Sequence, residues 1–291
     1  MIILFLLPAT ILYLTLFIYP SIKAFYISLF DWSGFTSTMK FIGLKNFDEL
    51  LHDGRFWSVT MINTLGFIFL GGILIFLFAF IISGVLSTKI KGRKFIRALV
   101  FFPIVINPVA IAIFWSFVYN YKWGLLNNLL KAVGLGAFQQ IWSGPTTLFW
   151  SVIVALVWMY TGFYCLILLS ALDRVPMGLI ESAHLDGANE FIIFFKIKIP
   201  LIWDSLIIAI ILWGITAIKE FSLLFAWGGG IDIPPDGVTN LAVKMYITAF
   251  GKRVTIYRMG YSTAMGVVMF VLVVVIVLII SRLMKRDSLE Y

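Results

Sequence analysis

Charge is what this sequence has least of. Only 12% of its 291 residues are Asp, Glu, Lys or Arg, about half the ~25% usual in a soluble domain. So few charges cannot cover a water-facing surface, which excludes a soluble globular fold. Cysteine is nearly absent. Cys165 stands alone in an apolar run, so neither a disulfide framework nor a cysteine-based zinc site is possible. The Gly-x-x-x-x-Gly-Lys-Ser/Thr phosphate loop is missing as well. Gly251-Lys252 is followed by Arg253, without the upstream spacing, so the chain does not bind ATP by that device. The first apolar run starts at Met1 without the basic n-region and small-residue cleavage site of a signal peptide. It is read as a retained span.

Apolar residues are what remains, 62% of the chain at a mean hydropathy of +1.04. They fall in runs of ~20 residues, the length one helix needs to cross a bilayer. Barrel strands would be about half as long and would alternate. The prediction is an all-α membrane protein of one domain, 1–291, with six transmembrane helices near 2–19, 59–87, 98–119, 147–172, 205–227 and 261–281. An even number puts both termini on one side. Lys89, Lys91, Arg93, Lys94 and Arg97 form a dense basic turn, which the positive-inside rule places in the cytoplasm. The tail with Arg282, Lys285 and Arg286 follows it there. The net charge of +8 is read as an orientation signal, not as a nucleic-acid surface. Trp32, Trp57, Trp123, Trp142 and Trp227 lie in or beside the loops then left outside, at headgroup height. Those loops, 31–58, 122–146 and 228–257, are long enough to dock an outside partner or simply to cap helix ends.

The cytoplasmic stretch 173–200 carries the most information. Pro176 suits the first turn of a helix and Gly187 the left-handed position just past its end. Between them lies a helix of about three turns. Met177, Ile180, Ala183 and His184 share one face, with Glu181 and Asp186 off it. Asn189 suits the N-cap of a second short helix that Pro200 ends. Neither helix is long or apolar enough to cross, so both are expected at the surface, joined to spans four and five.

This stretch resembles the cytoplasmic signature of permease subunits of binding-protein-dependent ABC importers. That signature is Glu-Ala-Ala, three residues, Gly, nine residues, then Ile-x-Leu-Pro. Here it reads Glu181-Ser182-Ala183, Gly187 and Ile197-Lys198-Ile199-Pro200 at the same spacing, with Ser182 and Ile199 as departures. Ile42-Gly43-Leu44-Lys45-Asn46-Phe47, Asn63-Thr64, Phe102-Pro103, Trp115 and Gly124-Leu125-Leu126-Asn127 extend the likeness. So do Gly228-Gly229-Gly230, Tyr246 to Phe250 and Gly260-Tyr261-Ser262. They are similar to the carbohydrate branch, first-subunit type, with Ile231 to Gly237 replacing a short Gly-Pro turn.

The resemblance implies the MetI-like permease architecture and a bacterial inner-membrane location. It implies a coupling helix with Glu181, Ser182, Ala183, His184, Asp186 and Gly187 against an ATPase. The implied partners are a second permease subunit, two ATPase subunits, an extracellular solute-binding protein and a sugar. ATP and magnesium are used by the ATPase subunits, and no cofactor is expected on this chain. The family's cavity-lining positions fall at Tyr160, Phe163, Trp213, Ala217 and Glu220.

From the residues alone, Lys219 and Glu220 interrupt span five, and each would cost ~2.5–3.5 kcal/mol facing lipid at mid-bilayer. Trp213, Thr216 and Glu220 share a helical face, as do Leu156, Tyr160 and Phe163. Aromatic faces and a carboxylate suit a sugar, and helix–helix packing explains them equally. Asn107-Pro108 reads as a kink. No enzyme is expected. His52 and His184 fall on opposite sides of the membrane, and no nucleophile–base pair exists in the spans. Two other functions remain open: an importer permease for a non-sugar solute, and a secondary carrier, although no inverted repeat is visible.

Overall fold

The computed structural model describes residues 2–88, 90–228, 234–251 and 257–284, with side chains from Leu6 onward. Lys89, Gly229, Gly230, Ile231, Lys252, Arg253, Lys285 and Arg286, used in the sequence reading, lie outside the described residues. Helix α1 is continuous over residues 2–27 and does not stop at Tyr19. Its wider π turn, Leu14–Ile18, precedes Tyr19-Pro20 and absorbs the missing proline donor. Lys23 does not end the helix either, since its ammonium rides 5.9 Å from the Tyr19 ring.

A two-residue antiparallel pair follows, β1 (Phe30–Asp31) on β2 (Lys40–Phe41), then α2 (Lys45–His52). Asn46 pins this cap by donating to the Ser28 and Phe30 carbonyls at 2.8 and 3.0 Å. Helix α3 (Phe56–Leu86) crosses with 31 residues.

The third span departs most from expectation. It is two helices, α4 (Arg93–Val105) and α5 (Pro108–Val118), meeting at 102°. Pro108 has no N–H and holds Asn107 extended, at φ −57° and ψ 130°. The Asn107 carboxamide then caps α5 by accepting from the Val109 amide at 2.8 Å. The dipeptide read as a kink is a full break.

A short helix, α6 (Leu125–Ala132), precedes the central one, α7 (Leu148–Leu172), the most buried of the apolar helices. The broken pair still runs the length of α7. Arg93 and Arg97 of α4 bind Asp173 at 2.8 and 3.1 Å, while the Tyr119 hydroxyl, just past α5, reaches the Ser151 carbonyl at 3.3 Å. Counted as one span, the pair brings the candidate crossings among the described residues from five to six. Gly162 permits the close approach of α4: a Cβ there would stand 2.1 Å from the Val100 carbonyl oxygen.

Beyond α7 come α8 (Met177–Leu185), the short helix α9 over 190–201 and α10 (Trp203–Lys219). Then follow α11 (Ser222–Trp227), α12 (Leu241–Phe250) and α13 (Met259–Leu283). Span five, read as one helix, breaks at Glu220, whose ψ of 112° is extended.

One apolar cluster joins Ile75 and Ala79 of α3, Tyr164 and Leu168 of α7, and Leu206 and Ala209 of α10. A second joins Ile111, Leu156, Leu223 and Val243. In lipid such seams gain from dispersion and close fit rather than from expelled water. Apolar side chains also cover the outside, Ile73, Ile81, Val154 and Leu278 among them, as a lipid-facing surface requires.

At the end opposite α8, ion pairs tie the loops. Arg258 forks onto both oxygens of Glu49, at 2.7 and 2.5 Å, and Arg55 meets Asp236 at 2.6 Å.

Candidate functional site

Two groups of predicted residues sit at different depths. The first is α8. Pro176 stands just before the first helical residue, at φ −59° and ψ 129°. The far end closes through two backbone bonds: Gly187 N–H to His184 C=O at 3.0 Å, and Ala188 N–H to Ala183 C=O at 2.9 Å. These are the paired bonds of a left-handed helix stop, and Gly187 has the φ it needs, +81°. Asn189 then caps α9 through its carboxamide oxygen, 2.9 Å from the Ile192 amide. Expectation and geometry agree at both capping positions.

The two faces of α8 differ from the sequence reading. Met177 and His184 are exposed, and the inward face narrows to buried Ala183 and half-buried Ile180. Ala183 is 8% exposed and turns inward, where α8 packs on α9. Its small side chain serves a seam within this chain. Glu181, Ser182, Asp186 and Gly187 are exposed, and Leu185 is 90% exposed. A helix of this kind, joined to a span at each end and exposing Met177, Leu179 and Leu185 among polar side chains, is shaped for a protein groove. His184 stands 3.4 Å from Glu190, across the turn.

The second group lies between α3, α7 and α10. The Tyr160 hydroxyl donates to Glu220 Oε2 at 2.5 Å, and Glu220 Oε1 accepts from the Leu223 amide at 3.2 Å. The carboxylate thus caps α11 across the break. Asn240 donates to the Glu220 carbonyl at 2.6 Å and caps α12 with its own oxygen. Trp213 packs edge-on against Tyr160 and Tyr164, with ring centroids 5.4 and 5.9 Å away. Its indole N–H reaches the Ile68 carbonyl at 2.8 Å. Gly72 makes room for that ring, since a Cβ there would stand 2.6 Å from the indole nitrogen.

Tyr160, Trp213, Ala217 and Glu220 are therefore brought together, and the cluster is closed: Glu220 is 7% exposed and Ala217 is buried. Phe163 is separated from them, 38% exposed on the outer side of α7. Lys219 faces outward, away from Glu220.

Between residues 75 and 287 the chain matches the family described as the binding-protein-dependent transport system inner membrane component. It belongs to that family. It is 32% identical to a probable ABC transporter permease protein, YurN of Bacillus subtilis (strain 168), over 99% of this chain and 97% of that one. The trehalose/maltose transport system permease protein MalF of Thermococcus litoralis is also 32% identical, over 93% of this chain and 88% of that one. In fold, the chain superposes on a subunit of a bacterial ABC transporter involved in the import of the acidic polysaccharide alginate. The TM-score is 0.82 at 21% identity, over 98% and 95% of the two chains. The protein is thus a helical membrane component of a transport system, with the MetI-like permease fold.

Sequence reasoning missed the Asp173 clamp, because Arg93 and Arg97 had been read only as topology signals. Asn240 was missed too. A polar residue just before the apolar run 241–250 is an N-cap signal and could have revealed it.

Proposed function

We propose that this chain is one membrane-spanning half of an ATP-driven importer for a carbohydrate delivered by an extracellular binding protein. The observation that carries the reading is α8: short, exposed, closed at its far end by the Gly187 stop and continuous with two spans, in a chain without a phosphate loop of its own. Several relatives are named for sugar systems, among them the trehalose/maltose permease and an alpha-glucoside transport system permease protein of Rhizobium meliloti.

In this mechanism α8, on the cytoplasmic side, seats in a groove of an ATPase subunit. When nucleotide closes the ATPases, α8 moves, and α7 and α10 move with it. Asp173, gripped by Arg93 and Arg97, passes the displacement to α4. Alternating access is then a rigid-body transition between two packed states. Tyr160, Trp213, Ala217 and Glu220 fasten α7 and α10 to α3, and loosening of that seam as the body shifts would present two aromatic rings and a carboxylate to a sugar. Phe163, outside that cluster, would face the second permease subunit.

The test is purification of the tagged chain from its own membrane. Expected is a complex with a second permease and two ATPase subunits, whose ATP hydrolysis rises with a sugar-loaded binding protein. A homodimer that transports without any ATPase would end the proposal. Stimulation only by a non-sugar solute would end its carbohydrate part.

A further inference from the structure

At the end of the bundle that carries α8, the last turns of α3 and helix α9 leave a groove of about 600 Å³ between them. Its size is that of a small-ligand site, ~300–1,000 Å³. Leu77, Ile81 and Val85 wall it on one side, and Phe191, Phe194 and Phe195 on the other. These walls suit an acyl chain. The polar end does not suit an apolar guest. Lys198 lines the same groove and is only 5% exposed. Its ammonium has one partner among the described residues, the Ser87 hydroxyl at 3.3 Å. Ser87 spends its own proton on the Gly84 carbonyl, 2.8 Å away.

An ammonium carries three donors, so two have no partner among the described residues. Among the described residues no carboxylate comes within 4.0 Å of it. Glu190, the acid in the groove lining, turns to His184 at 3.4 Å instead. A buried cation without a counter-charge is costly and calls for an anion. Lys91, Arg93 and Lys94, shortly after Ser87 in the chain, add positive potential at this end.

We propose that this groove binds one anionic phospholipid, with its phosphate on Lys198 and an acyl chain between the α3 and α9 walls. The site is set into the loop that leads from α8 to α10, so its occupancy bears directly on the moving element.

The test uses the assembled transporter in nanodiscs of phosphatidylcholine alone or mixed with phosphatidylglycerol. Native mass spectrometry after detergent stripping should show phosphatidylglycerol retained on the wild-type chain, with phosphatidylcholine removed. Phosphatidylglycerol should also raise the melting midpoint, because a ligand of the folded state stabilises it. Lys198→Arg should keep both effects. Lys198→Met should lower retention about fivefold or more and abolish the shift. Ile81→Trp fills the groove from an exposed wall position without removing the cation, and should do the same. Equal retention of the two lipids overturns the proposal. So does an undiminished shift in both Lys198→Met and Ile81→Trp, or a protein segment cross-linking into the groove in place of lipid.

Discussion

Gly187→Val separates backbone strain from every other effect. Gly187 closes α8 at φ +81°, and nothing lies within 4 Å of where its Cβ would stand. A side chain there meets no neighbour and adds only the cost of the left-handed conformation, about 1–2 kcal/mol for an ordinary residue, with a β-branched one at the upper end. That is a factor of roughly 5–30 in a two-state population. It falls on the two bonds, Gly187 to His184 and Ala188 to Ala183, that hold the end of α8.

Gly134 provides a matched control. It has φ +80°, also with nothing within 4 Å, in the loop after α6 at the opposite end. The same strain can therefore be placed at either end. In proteoliposomes with the ATPase subunits and binding protein, Gly187→Val should insert normally and lose both transport and binding-protein-stimulated ATPase. Gly187→Ala should be milder, and Gly134→Val near wild type. If Gly187→Val transports normally while Gly134→Val does not, energy does not enter through α8 and the mechanism is wrong.

Three further outcomes follow from particular contacts. Cysteines at Lys91 and Gly187 should be labelled only from the cytoplasm, and those at Lys45, Lys131 and Pro235 only from outside. The native Cys165 is buried and gives no background, and mixed labelling within either set would break the six-crossing topology. Hydrogen bonds from Arg258 hold the Glu49 carboxyl below its usual range. A folded value below the unfolded one means the contribution is present above the unfolded value and fades as pH falls through the folded value. Glu49→Gln should thus cost under ~1 kcal/mol at neutral pH, since both side chains are about half exposed. The gap in melting midpoint should close on acidification, and a widening gap would contradict the pairing. Gly162→Val drives a side chain into the Val100 carbonyl. It should reach the upper end of the ~1–3 kcal/mol cost of overpacking, read as a lower melting midpoint, with Gly178→Val, at an open position on α8, as the near-neutral comparison.

The parts of the fold legible in the sequence were those governed by local rules. Long apolar runs gave the spans, and the αL glycine and Asn189 cap gave α8 and α9 their ends. The overextended first helix and the broken third span were not legible in the same way. In both, proline competes with the membrane's demand for a closed backbone, and the outcome depends on what repairs the lost bond. A π turn repairs it before Pro20, whereas a side-chain cap at Asn107 rebuilds the chain as a second helix. The split of span five is a third case. Lys219 and Glu220 were seen as polar intrusions, but the helix stop depends on Asn240, twenty residues away, taking the freed Glu220 carbonyl. Long-range satisfaction of that kind leaves no period in a sequence.

That same stop gives each of the two readings of Glu220 its own consequence. As a packing element, its carboxylate holds Tyr160 and the start of α11 together. Removing it would orphan the Tyr160 hydroxyl and the Leu223 amide inside the bundle. A buried hydrogen bond to a charged group contributes ~1.5–3 kcal/mol. As a sugar contact, the carboxylate would give up Tyr160 when the pathway opens, and both side chains would turn to substrate hydroxyls. Tyr160→Phe tells these apart, because it deletes one hydroxyl and leaves the ring against Trp213 and the Leu223 cap in place. The packing role predicts a lower melting midpoint in detergent, with the concentration of loaded binding protein at half-maximal transport unchanged. The pathway role, which the proposed function requires, predicts a rise in that concentration or a fall in maximal uptake that differs between sugars. Glu220→Gln should follow Tyr160→Phe in direction, since the amide still accepts from Leu223 but binds the phenol less strongly. A uniform loss across all sugars, tracking the loss of stability in both variants, would remove Tyr160 and Glu220 from the pathway and leave them as the fastening of a broken helix.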